Sequence, residues 1–323
     1  MEVLGVQLGN TGTDFCLMTE DGSWEIVERG PGVFGRISCA FELERCREAL
    51  REEIVPRVIE VVEDVNPDLV VLGTIVDELG LITGPMVYGR TGIPTLAAFG
   101  DPWGAPDGDA VGAPFCVAEE HPECVHADVG AMTVIVPIEE GEPRFEPAVV
   151  VPGTFPLDLA VRVLTGRDYD EGGRLASEGE FLTEVAEELT SIEIDGKPVF
   201  GELEGDDLGP VPPKMEEVLG PVYEELGEEY GVENVLRTVT ELVARNVVEN
   251  SRRYGLDTLV LSGGGIKNEL LKRIVVDLWD GRAVPFAGED LEARGLCLLG
   301  LRFLRGERVP AVPYPGGDAV GGG

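Results

Sequence analysis

The chain has 323 residues and carries 61 acidic against 25 basic side chains, a formal net charge of −36, with 43% hydrophobic residues. This length suits two domains, each with a sizeable core. Because so negative a surface repels nucleic acid and anionic lipid, we expect no nucleic-acid or membrane partner. No run of eighteen apolar residues predicts a transmembrane helix.

The N-terminus and the cysteines both indicate a cytoplasmic protein. MEVLGVQLGN predicts a buried strand and lacks the basic region of a signal peptide. The six cysteines form no Cys-x-x-Cys pair, which favours free thiols in a reducing compartment. The acids are spread along the chain, a pattern suited to a cytoplasm of high ionic strength that screens self-repulsion.

The first part of the chain predicts a hairpin followed by alternating helix and strand. Strands at 2–8 and 14–22 flank a Gly-rich turn. A long amphipathic helix over 41–65 is expected to kink at Pro56. The remaining predictions here are a buried strand at 69–75, a short strand at 93–99 and a loop at 100–114.

The second part repeats this order. A hairpin is predicted from residue 124, with its turn at 139–142, and a strand at 257–262 runs into a glycine turn. Residues 195–213 predict a loop, and helices are predicted at 155–165, 174–190, 214–253 (one or two), 267–279 and 290–306. The repetition favours an internal duplication, with an N-terminal lobe at 1–122 and a C-terminal lobe at 123–323.

The first hairpin turn is a candidate phosphate site. Its residues Gly9, Asn10, Thr11, Gly12 and Thr13 are small, so backbone N–H groups can approach an anion closely, and the threonines add hydroxyl donors. Asp14 could hold a hydrated magnesium ion or could cap the turn. An ordinary hairpin turn is the alternative interpretation of the whole segment.

A second candidate lies at Ser262, Gly263, Gly264 and Gly265, between a strand and a helix with Asn268 in its first turn. Glycines there can free a helix N-terminus for a phosphate or for the flat face of a nucleotide. The spacing matches neither the dinucleotide-binding fingerprint nor the P-loop. A tight strand-to-helix connection is the alternative.

The third candidate opens the second hairpin, where Asp128, Gly130 and Thr133 echo the first turn. Two such turns could clamp a triphosphate and its metal ion, with Asp14 and Asp128 as the metal-binding carboxylates. This pairing of turns is typical of actin-like ATPases.

The acidic loop offers a candidate catalytic base. Phosphoryl transfer to a hydroxyl needs a carboxylate that orients and deprotonates the nucleophile. Asp101 and Asp107 are the candidates, with Asp109 beside them. Solvated turn aspartates are the alternative interpretation of all three.

Both histidines of the chain lie close to two cysteines, at Cys116, His121, Cys124 and His126. These residue types can bind zinc. Their spacing fits no familiar zinc motif, so we favour a structural role for them.

Several segments resemble, in the same order, the anhydro-N-acetylmuramic acid kinases. TGIPTLAAF, an acidic loop and GAPF are similar to a family segment that ends in Gly-Ala-Pro-Leu. Asp128-Val129-Gly130 resembles an Asn-Ile-Gly-Gly turn. Further matches are Pro152-Gly153-Thr154 with Asp158, the YDEGG segment at 169–173, SGGGIKNELL at 262–271, and Glu292-Ala293.

The resemblance implies an α/β protein of two ribonuclease-H-like (actin-like ATPase) lobes with a central nucleotide cleft that holds ATP and Mg²⁺. It implies transfer of the γ-phosphoryl group to a sugar hydroxyl, and a homodimer. It places phosphates at residues 9–13 and 128–133 and adenosine at Gly263, Gly264, Gly265 and Asn268.

This chain departs from the family at its first turn and at its base. The family's Ser-Gly-Thr-Ser-Leu-Asp-Gly is shortened, and no aspartate stands in register before Gly-Ala-Pro. Asp101 and Asp107 are the nearest substitutes. Two hypotheses follow: an ATP-dependent kinase of an amino-sugar or anhydro-sugar, or a non-catalytic nucleotide-binding switch, chaperone-like, of the same fold.

Overall fold

A computed structural model describes residues 1–8, 12–31, 50–74, 77–98, 111–146, 148–194, 196–200, 212–286, 288 and 290–314. The chain forms two compact units. Unit 1 contains residues 1–122, 141–146 and 288–323, and unit 2 contains residues 123–140 and 147–287. The sequence analysis groups 288–323 with 123–287, whereas the contacts place this segment in unit 1.

The strands are, in chain order, β1 (Glu2–Leu8), β2 (Gly12–Thr19), β3 (Trp24–Pro31), β4 (Leu69–Thr74), β5 (Thr95–Ala98), β6 (Cys124–Val129), β7 (Met132–Glu139), β8 (Glu142–Pro143), β9 (Val149–Pro152), β10 (Glu193–Ile194), β11 (Lys197–Pro198), β12 (Thr258–Ser262), β13 (Arg282–Pro285) and β14 (Ala311–Tyr314).

The α-helices are α1 (Val55–Val65), α2 (Asp77–Thr91), α3 (Gly112–Glu120), α4 (Phe155–Thr165), α5 (Arg174–Glu178), α6 (Thr183–Thr190), α7 (Pro212–Tyr230), α8 (Val232–Arg252), α9 (Glu269–Leu278) and α10 (Leu291–Leu304). A π-helical turn at Leu50–Ile54 precedes α1, and 3₁₀ turns at Glu171–Gly173 and Gly264–Lys267 precede α5 and α9. None of the helices in the described ranges is long and apolar enough to cross a bilayer.

The sheet of unit 1 has the strand order β14-β5-β4-β1-β2-β3. Strands β1, β2 and β3 form an antiparallel meander. Strand β4 is parallel to β1, and β5 is parallel to β4. Strand β14 adds antiparallel to β5 at the edge.

Unit 2 has a sheet of the same construction. Its order runs β13-β12-β6-β7, and β9 also pairs with β7. Strands β6, β7 and β9 are antiparallel, whereas β12 is parallel to β6 and β13 to β12. A meander followed by two parallel strands therefore occurs twice, which is the predicted internal duplication.

Burial explains why the unit 1 elements form. All six residues of β4 are buried, as expected of a central parallel strand. In α1, Val58, Val61 and Val62 recur at the i, i+3, i+4 spacing of one helical face. They join Leu4, Phe15 and neighbouring side chains in one apolar cluster, so α1 covers the sheet.

Helix α10 packs backbone to backbone against unit 1. A Cβ at Gly5 of β1 would collide with the carbonyl oxygen of Ala293, and a Cβ at Gly295 would collide with Gly112 of α3. Only glycine permits such close approach. These contacts explain why the C-terminal helix belongs with the N-terminal strands.

Three predicted elements differ from the structure. Pro56 lies in the first turn of α1, where a missing N–H is harmless, and does not kink a longer helix. The helix predicted over 174–190 is two helices, because Gly179 approaches the backbone of Glu233 too closely for any side chain. Helix α3 begins at Gly112, inside the predicted loop. Residues 41–49 lie outside the described residues.

Candidate functional site

Three turns of unit 2 meet at one end of its sheet. They connect β6 to β7, β9 to α4, and β12 to α9. The amide of Thr154 donates to the Gly130 carbonyl at 2.8 Å, and the amides of Gly153 and Phe155 donate to the Ala131 carbonyl, each at 3.0 Å. The first two turns are thus joined by backbone hydrogen bonds.

Glycines make the junction of these turns possible. A Cβ at Gly153 would collide with the Gly130 carbonyl oxygen, and one at Gly265 would lie 2.7 Å from the Val129 carbonyl oxygen. Gly263 has φ +86°, and a Cβ there would collide with Asp128 Oδ1. At Gly264, by contrast, an added Cβ would meet no atom within 4 Å. The predicted site residues Asp128, Gly130, Gly263, Gly264 and Gly265 are therefore brought together, with open space beside Gly264.

Asp128 is partly exposed and is held from behind by two polar side chains. The Ser262 hydroxyl lies 3.1 Å from Asp128 Oδ1 and 2.7 Å from His126 Nε2. His126 is completely buried, and this desolvation lowers the pKa of its imidazole to about 3, so the ring is neutral. The pattern of His126, Asp128 and Ser262 across two strands escaped the sequence analysis, although alternation along β6 places His126 and Asp128 on one face.

Two other predicted ligands have structural neighbours of their own. Thr133 is completely buried in β7, and its hydroxyl has no hydrogen-bond partner within the described ranges. Asn268 is the N-cap of α9, where its Oδ1 accepts a hydrogen bond from the Leu271 amide at 3.0 Å. Gly173 packs against the same oxygen.

Asp158 is a carboxylic acid that the site prediction did not include. It lies in the first turn of α4 and accepts a hydrogen bond from Thr154 Oγ1 at 2.9 Å. Burial raises the pKa of Asp158 to about 6, while the Thr154 hydrogen bond and Arg162 act in the opposite direction. A strongly shifted carboxyl beside a cluster of turns is a candidate functional group. The Pro-Gly-Thr turn four residues before it was the available signal.

Unit 1 holds its candidate carboxylate differently. Asp14 follows buried Thr13 in β2 and lies 3.8 Å from Arg29 Nε. Arg29 also donates two hydrogen bonds to Asp290, at 2.5 and 3.2 Å. Burial raises the pKa of Asp14, as does the charge of Asp290, while Arg29 lowers it. Asp290 has φ +60°, an uncommon conformation for a residue with a side chain.

The remaining predicted residues lie outside the described residues. They are Gly9, Asn10 and Thr11 of the first turn and Asp101, Asp107 and Asp109 of the acidic loop. Gly12, at the start of β2, is described, and a Cβ there would meet only the Gly30 carbonyl oxygen, at 3.9 Å. The roles of these residues stay predictions.

The cysteine and histidine group is built from buried side chains. Burial raises the pKa of both Cys116 and Cys124 to about 12, which disfavours the thiolate that binds metals. Cys116 Sγ donates to the Leu291 carbonyl at 3.3 Å. Within the part of the chain that the structure describes, no three His, Cys, Asp or Glu side chains form a group that could hold a metal ion.

Solved structures with the same fold cover nearly all of this chain. One is the activator of the 2-hydroxyisocaproyl-CoA dehydratase from Clostridium difficile with bound ADPNP, with a TM-score of 0.54, 14% identity and coverage of 94% of this chain and 96% of that one. Another is component A of the Acidaminococcus fermentans (R)-2-hydroxyglutaryl-CoA dehydratase, with a TM-score of 0.51, 13% identity and coverage of 94% and 99%. The predicted α/β fold with two ribonuclease-H-like, actin-like ATPase sheets is confirmed.

Curated relatives at higher identity are anhydro-N-acetylmuramic acid kinases. The one from Francisella tularensis subsp. novicida is 26% identical over 156 residues, 44% of this chain and 38% of the relative. The one from Bacillus cereus is 25% identical over 177 residues, 50% and 42%. The one from Streptomyces coelicolor is 29% identical over 178 residues, 49% and 44%. The matches thus span about two fifths of these relatives.

The family model for anhydro-N-acetylmuramic acid kinase matches residues 90–315, which include α10 and all described elements of unit 2. This match covers more than half of the chain and agrees with the resemblance found in the sequence. The chain belongs to the anhydro-N-acetylmuramic acid kinase family.

Proposed function

We propose that this chain is an ATP-dependent phosphotransferase that acts on a hydroxyl of an amino-sugar or anhydro-sugar. One observation carries the proposal: three backbone turns of unit 2 meet around Asp128 so closely that only glycine fits at Gly153 and Gly263. Such turns present amide groups to a phosphate. Family membership and the ADPNP named with a protein of the same fold support a nucleotide as the ligand.

The residues of unit 2 suit a nucleotide and magnesium. The open space beside Gly264 would admit a phosphate or a nucleotide face to the backbone, since no side chain stands in the way. The partly exposed carboxylate of Asp128 is a suitable ligand for hydrated Mg²⁺, which proteins often bind through one or two carboxylates. When bound, the metal ion neutralises phosphate charge.

In unit 1, we propose the same metal-binding role for Asp14. Arg29 beside it offsets the burial that raises the pKa of Asp14, and thus keeps a carboxylate available. The turn at residues 9–13 belongs to the proposal as a phosphate-binding segment.

Asp101 or Asp107 is proposed as the base. Its carboxylate would accept the proton of the attacking sugar hydroxyl as that oxygen bonds to the γ-phosphorus and the bond to the bridging oxygen breaks. Replacing each by asparagine tests the assignment. Full activity in both Asp101→Asn and Asp107→Asn would remove it.

The setting of the enzyme is part of the proposal. The charge of −36 favours a small-molecule acceptor over nucleic acid or an anionic membrane as partner. We propose a cytoplasmic location and a homodimer, which sedimentation of the purified chain would test.

The test is calorimetry with Mg·ATP in buffered salt, followed by ADP release with a panel of sugars. Binding with sugar-stimulated ADP release would support the kinase. Binding without turnover would favour the nucleotide switch, to which the departures at the first turn and the base point. Absence of binding would contradict both functions.

A further inference from the structure

We infer that His126, acting through Ser262, is a positioning residue that fixes the Asp128 carboxylate for its ligand. This role rests on the proposed nucleotide-binding function. It makes the Ser262-Gly263 turn a support for Asp128 as well as a surface for the ligand.

The arrangement follows from the register of two parallel strands. Strands β6 and β12 pair Ser262 with Asp128 and Val260 with His126. Side chains two residues apart share a face of a strand, so His126 and Asp128 point the same way. The Ser262 hydroxyl bridges them, 2.7 Å from His126 Nε2 and 3.1 Å from Asp128 Oδ1.

The direction of each hydrogen bond can be assigned. An ionised carboxylate only accepts, so the Ser262 hydroxyl donates its proton to Asp128. Ser262 Oγ must then accept from Nε2–H of His126. The imidazole is therefore the neutral Nε2–H tautomer, as its complete burial requires.

This order of residues is not that of a hydrolytic triad. In a triad the histidine lies between serine and aspartate and takes the serine proton. Here the serine lies in the middle and the histidine donates to it, so Ser262 is not activated as a nucleophile. The chain of hydrogen bonds instead ends on Asp128, whose orientation is what it determines.

The cost of the arrangement supports a role in the site. Nδ1 of His126 is buried without a hydrogen-bond partner in the described structure, and such an orphan acceptor costs about 1–3 kcal/mol. An apolar side chain would avoid that cost in the middle of a sheet. On the opposite side, Gly263 packs directly on Asp128 Oδ1. The carboxylate is thus confined between Ser262 and the glycine turn.

The first experiment compares His126→Phe with His126→Gln. Glutamine carries an N–H donor near the place of Nε2, whereas phenylalanine fills the space without a donor. We expect the affinity for Mg·ADPNP, measured by calorimetry, to fall about tenfold in His126→Phe and to be largely restored in His126→Gln. His121→Phe, which changes the other histidine, is the matched control and should bind like the wild type.

Ser262 provides a second pair if His126→Phe does not fold. Ser262→Ala removes the bridge, and Ser262→Thr keeps the hydroxyl on a residue suited to a strand. We expect about tenfold weaker binding in Ser262→Ala and recovery in Ser262→Thr. Equal binding by wild type, Ser262→Ala and His126→Phe would overturn the positioning role and leave the proposed function standing.

A measurement without nucleotide completes the test. Nitrogen-15 NMR of the imidazoles in the free protein distinguishes the two tautomers, and the His121→Phe variant assigns the signals. We expect His126 as the Nε2–H tautomer, and the Nδ1–H tautomer would overturn the inference. Wild-type protein that binds no nucleotide would overturn the proposed function, and this role with it.

Discussion

The two units share one sheet but hold their candidate carboxylates by different chemistry. In unit 1, Asp14 lies beside Arg29, whose side chain is 55% exposed and also pairs with Asp290. In unit 2, Asp128 is held by a neutral hydrogen-bonded pair whose histidine is 0% exposed. The duplicated frame therefore determines where an acid stands, and burial determines what can hold it.

The difference has a physical reason. Near the surface water screens charges, so an ion pair is inexpensive to form but contributes little. In the interior an unpaired charge is costly, so a neutral donor is preferred. Unit 1 thus holds its acid by a charge that salt can weaken, and unit 2 by geometry and close packing that salt hardly affects.

The largest expected effect comes from the glycines at the two turns. Gly263→Ala should reduce the free energy of unfolding by about 2–4 kcal/mol, because φ is +86° and the new Cβ would collide with Asp128. Gly12→Ala, the matched change in unit 1, should alter it by less than about 0.5 kcal/mol, since its nearest neighbour is 3.9 Å away. Denaturant unfolding measures both.

If both alanine variants lose the same stability, the two turns do not differ in packing as proposed. Gly264→Ala provides an internal control within unit 2, because an added Cβ there meets nothing within 4 Å. Its stability should stay within about 0.5 kcal/mol of wild type.

Asp158 sharpens the comparison by adding a second buried acid to unit 2. Its pKa is raised from 3.8 to about 6 by burial, so the folded state favours the protonated form. Its contribution to stability is complete below pH 3.8 and is lost as the pH rises through about 6. Asp158→Asn should therefore be more stable than wild type above pH 6, by about 2 kcal/mol, and should lose this advantage near pH 4.

Unfolding in denaturant from pH 4 to 8 measures this difference, and subtracting the variant from the wild type removes the contribution of all other acids. A constant difference across this range would show that Asp158 titrates normally. Asp257→Asn, at the start of β12, provides a control whose difference should not follow this pH profile.

The smallest expected effect concerns salt. The Arg29–Asp290 coupling, from a double-mutant cycle of Arg29→Gln and Asp290→Asn, should be about 0.5–1 kcal/mol in dilute buffer and roughly half that in molar salt. The His126–Ser262 coupling, from His126→Phe and Ser262→Ala, should be about 1 kcal/mol in both. Equal salt dependence of the two couplings would contradict the contrast drawn between the units.

Much of the architecture could be predicted because it depends on local pattern. The apolar run of β4, the hairpin β6–β7 and helices α4, α9 and α10 follow from periodicity and from glycine turns. Strand β13 escaped because it is a short edge segment with little apolar signal. Helix α2 escaped because a proline and glycines interrupt its pattern.

The candidate site could be predicted only in outline. The glycine turns and Asp128 stand out in the sequence, because few residue types permit close backbone approach. The partners of these residues do not stand out. Asp158 acquires its shifted pKa from the depth at which α4 packs, and His126 acquires its role from its pairing with a strand more than 130 residues away.

By itself, the sequence determined the class of fold, the duplication and the family, because periodicity, glycine turns and motif order are local properties. Only the tertiary structure decided which groups hold the acids: Arg29 and Asp290 are 261 residues apart, and Ser262 and Asp128 are 134 apart. Only the tertiary structure also placed α10 on β1, through Gly5 and Ala293. Strand register and close packing set such contacts, and neither leaves a periodic trace along the chain.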